Sequence, residues 1–202
     1  DKGLACVNLV APIMMLVTGL GMLFGTGCSV VAAIHLSQNN EKAARINVTQ
    51  AFITSVVLGV LLGIIFYSCP GRILHALGVS DSLMTLAKDY YLWFIPTCLF
   101  LVFQIIGGFV IRLDGSPRYA MFANIVPAVV NIILDFTFIF PCKMGLLGAA
   151  LATDIGTGVG TSMVLYYIIF KSKTLRLYRL KRTMTSVRLS LRNVGYMTNI
   201  GF

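Results

Sequence analysis

Apolar residues occur in runs that each exceed about 18 residues, and short polar breaks separate the runs. Such runs are long enough for an α-helix to cross a bilayer, and they lack the alternation of a membrane β-strand. Only 11% of the residues are charged, whereas a soluble domain carries about 25%. We therefore predict an all-α, polytopic transmembrane helical bundle with five full spans and the start of a sixth. The five spans are predicted at residues 5–36, 47–68, 86–111, 117–140 and 144–170.

The fourth predicted span carries an amide and a carboxylate, Asn131 and Asp135, inside its apolar run. They are four residues apart, so they share one face of a helix. A carboxylate exposed to lipid costs at least roughly 2.5–3.5 kcal/mol, so Asp135 is expected to face a protein-lined, hydrated cavity and to act there. If the turn that follows centres on Cys142, Asn131 and Thr153 each lie eleven residues from it. An antiparallel helical hairpin would place both at the same depth, about 16 Å from its tip.

An amide, a carboxylate and a hydroxyl at similar depth can converge on one small cation. All three carry oxygen, which suits a hard ion such as Na⁺. We therefore predict Asn131, Asp135 and Thr153 as cation-binding residues, with Na⁺ or H⁺ as the transported coupling ion and no resident cofactor. The spacing leaves helix rotation open. Pro127 removes one backbone hydrogen bond and is predicted to act as a hinge beside these residues.

Three further polar side chains inside the spans are candidates for lining a cavity: Gln104, Asn124 and Asp154. Gln104 can instead form an interhelical hydrogen bond, and for Asp154 the structural and functional interpretations are equally open. Segment 114–117 is predicted to be a compact turn in which Ser116 serves as the N-cap of the next helix.

The basic residues are distributed unevenly along the chain. Loops 37–46, 112–118 and 171–192 carry twelve of the sixteen Lys and Arg residues, and the positive-inside rule places these loops in the cytoplasm. Segment 171–192 alone carries eight and no acid, so it is predicted to lie against the anionic leaflet of the bilayer. The net charge of +9 therefore reflects topology in a cell membrane. Nucleic-acid binding is not expected, because membrane spans flank the basic segment.

The sequence shows neither a nucleophile–base pair nor a cluster of metal ligands. His35 and His75 are distant and isolated, and the five cysteines contain no C-x-x-C pair. We therefore do not predict an enzyme or a metal site, apart from Na⁺ at Asp135. The chain begins at Asp1 without a methionine and ends inside an apolar stretch. We expect it to be a fragment of a longer protein.

Four motifs, in order, resemble one family. The break L-S-Q-N-N-E-K-A-A-R, the turn R-L-D-G-S-P-R-Y-A-M, the helix N-I-I-L-D and the stretch M-G-L-L-G-A-A-L-A-T are similar to those of multidrug and toxic compound extrusion (MATE) transporters. The resemblance spans nearly the whole chain. It implies that residues 1–170 are part of a MATE/MOP-like amino-terminal lobe, holding the second to sixth transmembrane helices. Residues 171–192 would be the cytoplasmic linker between lobes, and residues 193–202 would begin the next helix.

The resemblance also implies a function. MATE transporters are cation-coupled antiporters, in which Na⁺ or H⁺ enters as a drug-like, often cationic, small molecule leaves. Their amino-terminal cation site uses an Asn and an Asp four apart on the fifth helix and a Thr on the sixth, which map onto Asn131, Asp135 and Thr153. The family's first helix, with its own Asp, and its second lobe lie outside this sequence. The expected protein is a monomeric transporter, and this part alone is not expected to transport.

Two alternatives stay open. A lipid-linked oligosaccharide flippase of the same superfamily would need a basic cavity for a pyrophosphate, and no Lys or Arg lies in the middle of a predicted span. A membrane scaffold without transport activity would leave the intramembrane Asp135 unexplained. The antiporter interpretation accounts for both observations.

Overall fold

The computed structural model describes residues 2–80, 84–178, 194–196 and 198–199. Up to Lys171, this part of the chain forms six α-helices and a final π-helical turn, and no strand occurs among the described residues. The predicted all-α class is confirmed. The elements are α1 (Lys2–Ser37), α2 (Glu41–Ser68), α3 (Pro70–Ala76), α4 (Met84–Leu113), α5 (Pro117–Ile139), α6 (Gly145–Tyr166) and the π-helical turn Tyr167–Lys171.

Four helices in the described part of the chain are long and apolar enough to cross a membrane. They are Ala11–Ser37, Glu41–Ser68, Ala87–Leu113 and Pro117–Ile139, and they correspond to the first four predicted spans. The fifth predicted span is α6, whose 22 residues measure about 33 Å, long enough for a hydrocarbon core. It is less apolar, because glycines, threonines and Asp154 occupy many of its positions.

The third predicted span, α4, lies at the centre of the bundle. It packs against α1, α2 and α6, and it also contacts α3 and α5. Side chains such as Val102 and Ile106 are completely buried on it. The approach of α2 depends on a missing side chain, since a Cβ at Gly59 would lie 2.6 Å from the Cδ1 atom of Leu99. α4 is therefore the scaffold against which the other helices are positioned.

In contrast, α5 lies at the edge of the described bundle. Only 11% of its apolar window is buried, against 56% for the window in α4. Its buried residues are Ala120, Ala123 and Pro127, which lie three or four residues apart and so form a single stripe. Since α5 packs mainly against α6, this stripe decides which of its polar residues face the protein.

The turn before α5 differs in one respect from the expected capping. Ser116 and Pro117 occupy the N-cap and the first helical position, as predicted, but Ser116 makes no capping hydrogen bond. Its hydroxyl instead donates a hydrogen bond to the Tyr167 hydroxyl oxygen at 2.7 Å, because the single Tyr167 proton is donated to Asp114. The first N–H groups of α5 are thus left without a side-chain cap.

The loops predicted to be cytoplasmic meet at one end of the bundle. The Nε atom of Arg45, at the start of α2, donates a hydrogen bond to the Thr174 carbonyl at 2.7 Å. The described start of the predicted linker, residues 171–178, is therefore docked on the helices. Residues 179–192 lie outside the described part of the chain. The assignment of a linker and of a following helix at 193–202 stays a prediction.

Candidate cation-binding site

Two polar residues of α5 continue its buried stripe away from the basic end of the bundle. Asn131 and Asp135 follow Pro127 at intervals of four residues, so all three share one helix face. Both side chains are half-buried. The same stripe that holds α5 against α6 therefore also directs the amide and the carboxylate toward the protein.

Asn131 contacts α6 directly. Its Nδ2 atom donates a hydrogen bond to the Thr153 hydroxyl oxygen at 3.4 Å, and that hydroxyl donates to the Ala149 carbonyl at 2.9 Å. The helices approach closely here, since a Cβ at Gly156 would lie 3.0 Å from the Cβ atom of Asn131 and 3.1 Å from the Pro127 carbonyl oxygen. The predicted equal depth of Asn131 and Thr153 is therefore observed, whereas cation binding by them stays a prediction.

Asp135 lies one turn beyond this contact. Its Oδ1 atom is buried and has no hydrogen-bond partner among the described residues. No ion pair to Asp135 forms within this part of the chain either. Tyr90 of α4 lies within electrostatic range of Asp135. A carboxylate oxygen that is shielded from water and lacks a donor has a strong tendency to bind a cation or a proton.

Asp154 follows Thr153 in the chain but contacts a different helix. Its Oδ1 atom accepts a hydrogen bond from the Thr97 hydroxyl of α4, and Thr97 is fully buried. Tyr90 is within electrostatic range of Asp154 as well. Asp154 therefore has a structural partner at the interface of α4 and α6. Its role in lining a transport cavity stays a prediction.

Gln104 and Pro127, which the sequence suggested separately, are linked through one carbonyl group. Pro127 has no N–H group, so the carbonyl of Ala123, four residues earlier, loses its helical donor. The Nε2 atom of Gln104 donates a hydrogen bond to that carbonyl at 3.2 Å. Gln104 also packs on Gly160, where a Cβ would lie 2.5 Å from its Cδ atom. The interhelical hydrogen bond is thus observed, and it restores the bond that the proline removes.

Asn124 is not part of this cluster. It is exposed, and its Nδ2 atom donates to the Ala120 carbonyl of its own helix at 2.9 Å. The structure brings Asn131 and Thr153 together, places Asp135 beside them and leaves Asn124 about two turns away. Amide, hydroxyl and carboxylate oxygens are ligands for a hard cation. No group of three His, Cys, Asp or Glu side chains suited to a metal occurs among the described residues.

A third acidic residue, Asp114, was assigned only to a turn on sequence grounds. Its carboxylate accepts hydrogen bonds from the backbone N–H groups of Lys173, Thr174 and Leu175 at 2.8–2.9 Å. The Tyr167 hydroxyl donates to it at 2.9 Å. Asp114 is only 6% exposed. It therefore attaches the chain after α6 to the loop before α5.

The electrostatics of Asp114 follow from these bonds. Burial alone would raise its pKa, because it disfavours the charged form. The three N–H groups and the Tyr167 hydroxyl outweigh burial and hold the pKa of Asp114 below its usual range. No local motif marks this role in the sequence. The only signal was an acid placed directly after a membrane-spanning helix at the basic end of the bundle.

The described bundle combines membrane-length apolar helices with a polar cluster between α5 and α6, and polar residues at membrane depth are typical of helical transporters. The sequence model of the MatE family matches residues 1–137. The chain therefore belongs to the MatE family, whose members are transporters rather than enzymes. It is a multi-pass protein of the cell membrane.

Named relatives agree with this assignment. The chain is 26% identical over 170 residues to the multidrug export protein MepA of Staphylococcus saprophyticus, and 25% identical over 173 residues to that of Staphylococcus haemolyticus. These matches cover 84% and 85% of this chain but 38% of each relative. The chain thus spans well under half the length of the curated relatives that it matches.

Solved structures show the same fold. A MATE crystal structure in the bent conformation matches 98% of this chain with a TM-score of 0.88 at 23% identity, over 45% of its own length. An inward-facing multidrug resistance MATE transporter of the MOP superfamily matches 99% of the chain with a TM-score of 0.82 at 23% identity, over 47% of its own length. The bundle is therefore the fold of part of a MATE transporter.

Proposed function

We propose that the full-length protein carrying this sequence is an antiporter that exports drug-like organic compounds in exchange for Na⁺ or H⁺. The relatives described as multidrug export proteins support the class of cargo. The cation site would comprise Asn131, Asp135 and Thr153, and the protein would act as a monomer. The small-molecule substrate and the lipid bilayer are its proposed partners.

One observation carries this proposal. The Oδ1 atom of Asp135 is buried without a hydrogen-bond partner among the described residues, next to the contact between Asn131 and Thr153. An intramembrane acid normally finds a basic or hydrogen-bonding partner. A transported cation or proton would provide the missing one, and it would have to leave again for transport to proceed.

The proposed hinge at Pro127 would couple ion binding at Asp135 to the conformation of α5. A bound cation would favour the charged form of Asp135, and a bound proton would neutralise it. Pro127 lies two helical turns away on the same face, and the bond from Gln104 to Ala123 fixes the helix at that point. Ion occupancy would therefore bias α5 between two arrangements. The ion shifts this equilibrium only by its differential affinity for them.

The flippase alternative receives less support from the site. It would need basic side chains facing a cavity for a pyrophosphate, and the long described helices α1, α2, α4, α5 and α6 carry Lys or Arg only near their ends. The proposed antiporter instead needs a cation or proton that binds near Asp135 and then dissociates. We therefore favour drug export over lipid-linked oligosaccharide flipping.

The test is efflux from proteoliposomes that contain the full-length protein, with Na⁺ and H⁺ gradients imposed separately. Efflux of a cationic dye should follow at least one gradient in the wild type and be lost in Asp135→Asn. Thr137→Ala, on the same helix and with its hydroxyl bonded to the Ile133 carbonyl of that helix, is the matched control and should retain efflux. Undiminished, gradient-driven efflux by Asp135→Asn would falsify the assignment.

A further inference from the structure

A basic cavity lies at the end of the bundle where the predicted cytoplasmic loops meet. Its volume is about 530 Å³, and it lies between the start of α5 and the chain that follows α6. Three of its lining residues are basic: Arg118, Lys171 and Lys173. No acid lines it. This position corresponds to the headgroup level of a bilayer, because the membrane-spanning helices begin and end there.

The acid nearest to the cavity is already engaged. Asp114 lies behind Tyr167 and accepts four hydrogen bonds, one of them from the backbone of Lys173. Its charge is therefore directed at backbone donors rather than at the cavity. Even when this charge is counted, three cations against one anion leave the cavity positive. The bond from the backbone N–H group of Lys173 holds this residue at the cavity that Arg118 and Lys171 also line.

Two local features increase the attraction for an anion. The ammonium of Lys171 lies 5.4 Å from the centre of the Tyr119 ring, which holds it at the cavity. α5 also begins here without an acidic residue in its first turn and without a side-chain cap. The positive end of its helix dipole adds to the three basic side chains.

An apolar groove adjoins the basic cavity. It runs along the outer surface of α6, and its lining includes Ile155, Gly158, Val159 and Met163. Tyr119 lines both spaces, and its hydroxyl donates to the Met163 carbonyl at 3.0 Å. Nothing lies within 4 Å of the position that a Cβ would take at Gly158, so the groove is open there.

We propose that this surface binds an anionic phospholipid. The headgroup phosphate would occupy the cavity with Arg118, Lys171 and Lys173, and one acyl chain would follow the groove over Gly158. The cavity is positive at headgroup depth, and the adjoining apolar groove runs toward the hydrocarbon, so the surface matches both parts of such a lipid. The proposal does not depend on the coupling ion, because lipid binding is measured without transport.

The test is native mass spectrometry of the full-length protein with phosphatidylglycerol and phosphatidylcholine supplied together. The wild type should retain phosphatidylglycerol in preference. Each basic residue near the headgroup adds a factor of about five, so Arg118→Gln with Lys171→Gln should weaken phosphatidylglycerol binding about 30-fold. Both side chains are exposed, so the variant should fold. Arg112→Gln, an exposed basic residue at the same end but outside the cavity, should bind as the wild type does.

A second arm separates a lipid from a free phosphate. Gly158→Leu fills the groove and should weaken phosphatidylglycerol binding at least fivefold while leaving the affinity for glycerol 3-phosphate unchanged. Gly19→Leu, at an open and exposed position of α1, is its control. The proposal fails if the wild type shows no preference for phosphatidylglycerol or if the double variant retains it. It also fails if Gly158→Leu has no effect, because the cavity would then bind an anion without an acyl chain.

Discussion

Asp114 and Asp135 are two acids on the same bundle, and their surroundings differ completely. Asp114 is 6% exposed and accepts hydrogen bonds from three backbone N–H groups and the Tyr167 hydroxyl. Asp135 is half-buried, and its buried Oδ1 atom has no hydrogen-bond partner among the described residues. One carboxylate is saturated with donors and the other is not.

The difference separates a structural role, which the bonds of Asp114 show, from the ion-binding role that we propose for Asp135. A saturated carboxylate is held in its charged form and has no free capacity for a ligand, so Asp114 can only fix the chain around it. An unsaturated carboxylate in a poorly solvated site is costly until a partner arrives from outside the described chain. On this view, Asp114 contributes stability, whereas Asp135 contributes binding at the expense of stability.

The largest expected effect comes from removing the saturated acid. Asp114→Ala would leave three N–H groups and a hydroxyl without an acceptor, so the free energy of unfolding should fall by about 3–5 kcal/mol. Denaturant unfolding of the full-length protein in detergent measures this. Asp89→Ala, at an exposed acid near the start of α4, is the control and should have little effect. Equal stabilities of the two variants would contradict the anchoring role.

The next largest effect is expected at the helix contact beside Asp135. Gly156→Leu would force a side chain into the contact with Asn131 and Pro127, so it should destabilise the protein by about 1–3 kcal/mol and weaken cation binding. Gly19→Leu, at an exposed position of α1 that faces open space, is the control for this effect. Unfolding curves and Na⁺ or H⁺ titrations report both quantities. Normal cation affinity in Gly156→Leu would separate the helix contact from the ion site.

A smaller effect is expected at the hinge. Gln104→Leu leaves the Ala123 carbonyl without a donor, which should lower the free energy of unfolding by about 1 kcal/mol. Cation affinity should stay constant while the rate of coupled efflux changes, because the bond fixes α5 rather than the ion. Thr137→Ala serves as the control, since the Thr137 hydroxyl bonds the Ile133 carbonyl of its own helix in the described contacts. An unchanged efflux rate in Gln104→Leu would argue against a hinge at Pro127.

The smallest expected effect is a pH dependence of the stabilisation that Asp114 provides. The pKa of Asp114 is lowered in the folded protein, so its stabilisation is fully present above the unfolded pKa of about 3.9 and is lost as pH falls through the folded pKa. The stability difference between wild type and Asp114→Asn should be constant from about pH 7 to pH 5 and narrow below about pH 4. If the stability difference between wild type and Asp114→Asn already narrows between pH 7 and pH 5, the donors do not hold the pKa of Asp114 below its usual range.

The sequence was sufficient for features that depend on local pattern. Long apolar runs located the helices, and counting residues from Cys142 placed Asn131 and Thr153 at one depth, which the structure shows as a hydrogen bond. The pattern could not choose between two roles for Gln104, because that choice depends on helix rotation. The rotation is set by contacts such as the one between Gln104 and Gly160.

Long-range contacts explain what the sequence did not reveal. Three of the four donors to Asp114 lie 59 to 61 residues further along the chain, and these three are backbone groups without any side-chain signature. The link between Gln104 and Pro127 passes through a carbonyl that any residue could supply. The basic cavity likewise joins Arg118 to Lys171 across the length of two helices. Periodicity and composition do not predict such long-range contacts.

We propose that Asp135 captures and releases a small cation or a proton. Infrared difference spectroscopy of the full-length protein, recorded while Na⁺ or H⁺ is added, reports the carboxyl group directly. We predict a carboxyl band that changes with ion addition in the wild type and is missing in Asp135→Asn, while Asp114→Asn retains it. An ion-dependent band that persists in Asp135→Asn, or no such band in the wild type, would show that Asp135 is not the ion-binding carboxyl group.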